Sequence, residues 1–213
     1  MGGEGTLTRI RGRTGATGKF ADSTLNHKYL AYLPLPTPLM MDLTLHTPRL
    51  RLRELVFDDA EFILGLLNSP GWLTYIGDRQ VRTAEAAKAY LEQGPIRSYR
   101  ENGFGLMIAV RQSDGKPVGV CGLLRRSDLP CPDLGFALLP EFAGMGYGTE
   151  MARAMLQDGR TRLGYQTIFA ITMPENHRSI RLLGKIGFKF LEHFSFADNP
   201  EVLLLYEYRH PVI

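Results

Sequence analysis

Three glycines at alternate positions, Gly144, Gly146 and Gly148, stand in "PEFAGMGYGTEMARAML" between an apolar run and a helical stretch. This is the segment that most restricts the fold. Glycine tolerates positive φ and lets other groups approach the main chain closely. A helix N-terminus presents free N–H groups and a partial positive charge. Glycines placed between a strand and a helix therefore make either a tight connection or a cradle for a phosphate. The glycines alone leave both readings open.

The flanking pattern supplies context. "RLRLRE" alternates apolar and polar residues and reads as a half-buried strand. Asp58 and Glu61 stand three apart, as in a capping box, ahead of Ile63, Leu66 and Leu67 at helical spacing. That helix stops at "NSPG". Thr83 caps a second helix, "AEAAKAYLEQ", which Gly94-Pro95 ends, and a short helical piece follows to Asn102-Gly103. "FGLMIAV" and "PVGVCGLL" are strands joined by a hairpin with Asp114-Gly115 at its centre. "DLGFALLP", "TIFAIT", "FKFLEHFSF" and "VLLLYEYR" complete the strands, and "NHRSIRLLGKIG" is a helix. The fold class is α+β: a mixed, mostly antiparallel sheet with flanking helices.

Residues 1–41 differ from the rest. They are rich in Gly, Thr and Pro, lack periodicity and contain the extended "PLPTPL". Five basic residues (Arg9, Arg11, Arg13, Lys19 and Lys28) against Glu4 and Asp22 place the whole net charge of +3 there. We expect a flexible basic extension at 1–41, with Met40 or Met41 as an alternative start, and one domain over 42–213. The balanced charge of that domain gives no electrostatic case for nucleic-acid binding. No apolar run is long enough to span a bilayer. Cys121 and Cys131 are too few for a disulfide framework and belong to no metal-ligand pattern, so a reducing, cytoplasmic setting without a metal is expected. The five histidines are scattered.

Two familiar phosphate loops do not match. Gly148-Thr149-Glu150 lacks the Gly-Lys-Ser/Thr ending of a Walker loop, and Thr149 occupies the third glycine position of a dinucleotide-binding fingerprint. Gly146-x-Gly148 in "LLPEFAGMGYGTE" instead resembles the acetyl-CoA loop of the GNAT N-acetyltransferases, Q/R-x-x-G-x-G/A. "PENHRSIRLLGKIGF" (174–188) is similar to the family's strand–Asn–helix–Gly-Phe segment. "NGFGLMIAV", "GVCGLLRR" and "DLGFALLP" resemble its ribosomal-protein alanine acetyltransferase branch, the RimJ/RimL-like group. The resemblance covers about residues 46–208.

The resemblance implies two neighbouring parallel strands, at 133–139 and 168–172, that splay apart around acetyl-CoA as acyl donor. Ala137 and Leu139 are the expected backbone contacts for the pantetheine arm, which would pair like an added strand. Gly144 and the amides of Met145, Gly146, Tyr147, Gly148 and Thr149 are expected to hold the pyrophosphate. Asn176 caps its helix and, by resemblance, also touches the cofactor arm, with Ser179 one turn further on. The Leu138 N–H is the expected oxyanion donor. Asp133 is the candidate base, and it is equally a loop-end aspartate paired with Arg125 or Arg126. Glu141 and Glu150 are expected to face away from the phosphates or to cap backbone. Trp72, Tyr75 and Phe104 are placed along an acceptor cleft.

Three positions depart from the family pattern. Ala143 replaces a Gln or Arg, Leu183 a tyrosine acid, and Phe169 or Ile171 a glutamate. The implied activity is acetyl transfer to a primary amine, on a protein N-terminus or a small molecule, by a monomer or homodimer. A non-catalytic acyl-CoA sensor is the alternative that the departures keep open.

Overall fold

The computed structural model describes residues 43–197 and 199–211. The expected extension, its linker, the alternative starts and the boundary at 42 lie outside the described residues. Eight strands form one sheet in the order β1-β2-β3-β4-β5-β6-β8-β7. They are β1 (Thr44–His46), β2 (Leu50–Glu54), β3 (Leu106–Arg111), β4 (Pro117–Leu124), β5 (Asp133–Leu138), β6 (Thr167–Thr172), β7 (Lys189–Phe196) and β8 (Asn199–Arg209). Every neighbouring pair is antiparallel except β5 and β6. The Asp-Gly hairpin closes as expected: Gly115 has φ of 71° and the Arg111 N–H donates to the Lys116 carbonyl at 2.8 Å.

The helices are α1 (Ala60–Leu67), α2 (Pro70–Tyr75), α3 (Ala84–Leu91), α4 (Arg97–Asn102), α5 (Tyr147–Thr161) and α6 (His177–Ile186). They divide between the two faces of the sheet. Leu55, Ile63, Leu66, Leu67, Ala87 and Leu91 pack with Ile108, Val110 and Val120 on one face. Met151, Met155, Leu183 and Ile186 pack with Met107, Cys121, Leu134 and Ile168 on the other. The alternation of strand side chains supplies both faces, so the sheet carries a core on each side.

Local chemistry explains where the helices begin, and in three places it differs from the sequence pattern. The capping carboxylate before α1 is Asp59, not the pair Asp58 and Glu61. Asp59 accepts from the Val56 N–H at 2.9 Å and from both Arg53 guanidinium ends at 2.7 and 2.8 Å, which places a 3-10 turn ahead of the helix. "NSPG" ends α1 but also starts α2, with Pro70 in the first turn where a missing N–H costs nothing. Gly94-Pro95 does not break the helix: a π turn (Glu92–Ile96) absorbs the proline and carries the chain into α4. Thr83 and Asn176 cap α3 and α6 by accepting from Ala86 and Ser179 N–H groups. Gly187, at φ 101°, ends α6.

Phe169 is fully buried in the core beneath α5. Truncating it leaves an apolar cavity that a strand at the centre of the sheet cannot close. Phe169→Ala is expected to cost about 3–5 kcal/mol in urea unfolding.

Candidate active site

β5 and β6 meet at a single bridge, Asp133 opposite Phe169, where the Phe169 N–H donates to the Pro132 carbonyl at 3.0 Å. Beyond it the strands part: among the described residues, 135–138 and 170–172 have no ladder between them. Which backbone groups face the gap follows from register. The Leu139 N–H donates to the Val118 carbonyl at 3.0 Å, so β5 residues of that parity turn to β4 and the others toward β6. Phe136 and Leu138 therefore present their N–H and C=O groups to the gap. Ala137 and Leu139, the expected arm contacts, present theirs to β4. That expectation is corrected by one residue, a shift that reverses every group on a strand.

At the open end of the gap, the chain passes through a 3-10 turn (Pro140–Phe142) into the glycine loop. Gly144 and Gly146 adopt φ of 82° and 83°, a region costly for residues with a Cβ. Gly146 is the N-cap of α5 and has no side chain to cap it. The N–H groups of Tyr147, Gly148 and Thr149 thus lack intrahelical acceptors. Gly148 is closely bordered for a different reason: a Cβ there would lie 2.8 Å from Leu182 Cδ1, which would have to shift, and 3.5 Å from Leu138 Cδ1. The loop is therefore a shallow cradle of amides at a helix N-terminus, closed on one side by α6 and β5. Its donors, dipole and lack of side chains suit a diphosphate. Tyr147 can offer only its amide, because its ring is buried against Phe142 at 6.3 Å. Met145 is half exposed.

The turn between β1 and β2 also reaches the loop. Glu150 Oε1 accepts from Thr47 Oγ1 at 2.6 Å and from the Arg49 N–H at 2.8 Å, and Oε2 accepts from Arg49 Nε at 2.7 Å. Arg49 Nη1 donates to the Met145 carbonyl at 3.0 Å, and the guanidinium lies over the Tyr147 ring at 4.5 Å. Burial alone would raise the Glu150 carboxyl, but the hydrogen bonds from Thr47 and Arg49 outweigh it and hold it below the ordinary value. Glu150 thus caps backbone and faces away from the cradle, and Glu141 is exposed. Sequence reasoning missed Arg49, because it lies about a hundred residues from the groups it touches and no spacing reports such a contact.

Asp133 sits at the vertex of the splay and is 2% exposed. Arg126 Nε donates to its Oδ1 at 2.8 Å, while the Arg126 guanidinium rests over Phe196 of β7 at 5.2 Å. Burial pushes the Asp133 carboxyl up, and Arg126 only partly opposes this. Asn176 spends its side-chain oxygen on the Ser179 N–H at 3.1 Å, and Ser179 is buried rather than exposed. Leu183 is fully buried in the core. The proposed aromatic cleft does not form. Trp72 and Phe104 are buried in cores on opposite faces of the sheet, and only Tyr75 is exposed.

Among the described residues no group of three His, Cys, Asp or Glu gathers as a metal site, and no helix is long and apolar enough to cross a membrane. A GNAT acetyltransferase domain matches residues 49–189. The chain belongs to this family, and it is an acyl-CoA-dependent acetyltransferase acting on an amine. The uncharacterised protein YkkB of Bacillus subtilis is 29% identical over 157 residues, 72% of this chain and 90% of that protein. An acetyltransferase structure from Agrobacterium tumefaciens superposes with a TM-score of 0.68 at 23% identity, covering 83% of this chain and 99% of that one. The structure of RimL, a ribosomal L7/L12 α-N-protein acetyltransferase with coenzyme A, superposes at 0.66 and 14% identity, covering 78% and 98%. Of these, the RimL structure, alike in fold, is the one consistent with the RimJ/RimL-like resemblance.

The raised Asp133 carboxyl has a testable sign. The folded protein binds a proton more tightly there than the unfolded chain does. Stability should therefore fall as pH rises from the ordinary carboxylate value of 3.8 through the raised one. Asp133→Asn should remove that component of the slope, read from urea midpoints between pH 4 and pH 7.

Proposed function

We propose that the chain transfers an acetyl group from acetyl-CoA to the primary amine of a protein N-terminus or of a small molecule. The observation that carries this reading is the pairing of the uncapped α5 N-terminus with the one-bridge splay of β5 and β6. The amides of Met145 to Thr149 would hold the diphosphate. The exposed edge of Phe136 and Leu138 would take the arm as an added strand. Family membership supports the donor, and the protein-directed acceptor rests on the likeness to RimL, whose substrate is a ribosomal protein.

The chemistry asks little of side chains. The thiol that leaves has a pKa of about 8.5 and departs as thiolate with modest help. Reactants held side by side supply much of the acceleration. The Leu138 N–H, turned into the gap, would meet the oxyanion that develops as the amine attacks the thioester carbonyl. The amine, with a pKa near 10.4 for a lysine-like group, must lose a proton. Asp133, at the vertex, would take that proton through intervening water, because five residues of extended strand, about 16 Å, separate it from Leu138, and its raised proton affinity suits a base better than an ordinary aspartate. Asn176 would retain its cap while offering its remaining amide hydrogens to the arm.

Free-thiol release from acetyl-CoA, measured across N-terminal peptides and small amines, tests the reading. Release with at least one amine is expected. Thermal stabilisation by CoA with no thiol released from acetyl-CoA in the presence of any amine would indicate a sensor, and no stabilisation by any CoA ester would exclude both. Asp133→Asn should lower kcat by about 100-fold, the lower range for general base catalysis, with CoA affinity changed less than threefold. Unchanged kcat would assign Asp133 to the Arg126 ion pair alone. Gly146→Glu, which adds bulk and charge at a left-handed residue, should abolish CoA binding in titration calorimetry.

A further inference from the structure

We propose that Arg49 is a positioning residue that latches the glycine loop into its ligand-ready shape, a reading that rests on the loop being the diphosphate site. A loop with glycines at 144, 146 and 148 has little of its own to hold its dihedrals, since glycine loses more freedom on ordering than any other residue. One side chain supplies what the loop lacks. Arg49 reaches the residue before the N-cap through the Met145 carbonyl, the residue after it through the Tyr147 ring, and the first helical turn through Glu150. Thr47 and the Arg49 main-chain N–H anchor the same carboxylate, so both halves of the latch are fixed to the sheet.

The geometry favours positioning over direct contact. In a trans peptide the C=O and N–H point in opposite directions. Arg49 holds the Met145 carbonyl, so the Gly146 N–H is turned away from Arg49. Leu182 and Leu138 border Gly148, while Arg49 borders Gly146 from its Cβ side, with Nη2 3.3 Å from where a Cβ would stand. Arg49 also governs an adverse charge. Glu150 lies in the first turn of the helix whose N-terminus would hold phosphates, and a carboxylate swung into the cradle would repel them. The Arg49 and Thr47 contacts hold it outside. The latch also stands where the loop's own sequence is poor, for Ala143 offers no polar side chain.

Lysine is a poor substitute in this role. A planar guanidinium serves Met145, Glu150 and an aromatic face at once, whereas an ammonium is a point charge. The test compares Arg49→Ala and Arg49→Lys with wild type, with exposed Arg51→Ala as a control for lost charge. The first readout is amide hydrogen exchange of residues 144–150 without ligand. The second is calorimetric affinity for CoA and for 3′-dephospho-CoA. Both Arg49 variants should exchange these amides about tenfold faster. Both should bind either ligand about tenfold more weakly, with KM for acetyl-CoA raised in proportion and kcat within twofold. Arg51→Ala should match wild type.

Unchanged loop exchange in both variants would overturn the latch. Full rescue by lysine would reduce Arg49 to a charge. A loss seen with CoA but not with 3′-dephospho-CoA would make it a direct phosphate ligand. If wild type binds no CoA ester, the diphosphate reading falls, while the exchange comparison still judges whether Arg49 orders the loop. Circular dichroism and the melting temperature confirm that each variant is folded. Arg49, with its side chain 47% exposed, is expected to leave the core intact.

Discussion

The single bridge between β5 and β6 is the constraint on which the site depends. A sheet gains by pairing every backbone group, and an unpaired N–H or C=O away from water costs about 1–3 kcal/mol. Here two central strands pair once and then diverge, although both continue as regular strands. The chain keeps them apart from both sides. β5 is held by a full antiparallel register with β4, and β6 by one with β8. At the vertex, Phe169 fills the core beneath α5, and the Pro132 carbonyl takes the last available N–H. The result is an edge of main-chain donors and acceptors that the sheet leaves unpaired.

The same logic governs the helix that follows. α3 and α6 each satisfy one first-turn amide with a side-chain cap, Thr83 on Ala86 and Asn176 on Ser179. α5, the longest helix among the described residues, begins at a glycine and leaves its amides open. Stability forgone in two places, a ladder not zipped and a helix not capped, is concentrated at one end of one strand. Arg49, Thr47 and Glu150 offset part of that deficit without covering the donors, since they bind the loop through its carbonyl and its first turn.

Much of this was legible in the sequence, for identifiable reasons. "PVGVCGLL" and "TIFAIT" coincide with β4 and β6 residue for residue, because continuous apolar runs bounded by turn residues have few alternatives. Thr83, Asn176, Gly103 and Gly187 act at the helix ends where their chemistry placed them. What failed was decided by tertiary contact. Asp59 displaced Asp58 as the capping carboxylate because Arg53 grips it from the adjacent strand. Gly94-Pro95 failed to stop a helix because a π turn absorbed the proline. Trp72 and Phe104 were drawn into opposite cores, since burial of large rings outweighs a place on a cleft wall. Ala137 and Leu139 turn to β4 rather than to the gap, because parity depends on the β4 register, which no local pattern encodes.

A site built this way explains why its chemistry tolerates departures at Leu183, Phe169 and Ile171. Leu183 and Phe169 are fully buried, so at these positions the side chains serve packing. Main-chain donors do not depend on side-chain identity, only on the path of the backbone. Their demands are glycine where φ is positive or another group approaches closely, and a strand whose free edge faces the gap. Chains at 14% and 23% identity can therefore keep the same fold. Acyl transfer from a thioester suits such a scaffold, because its leaving group needs little protonation and its developing charge can be met by an amide.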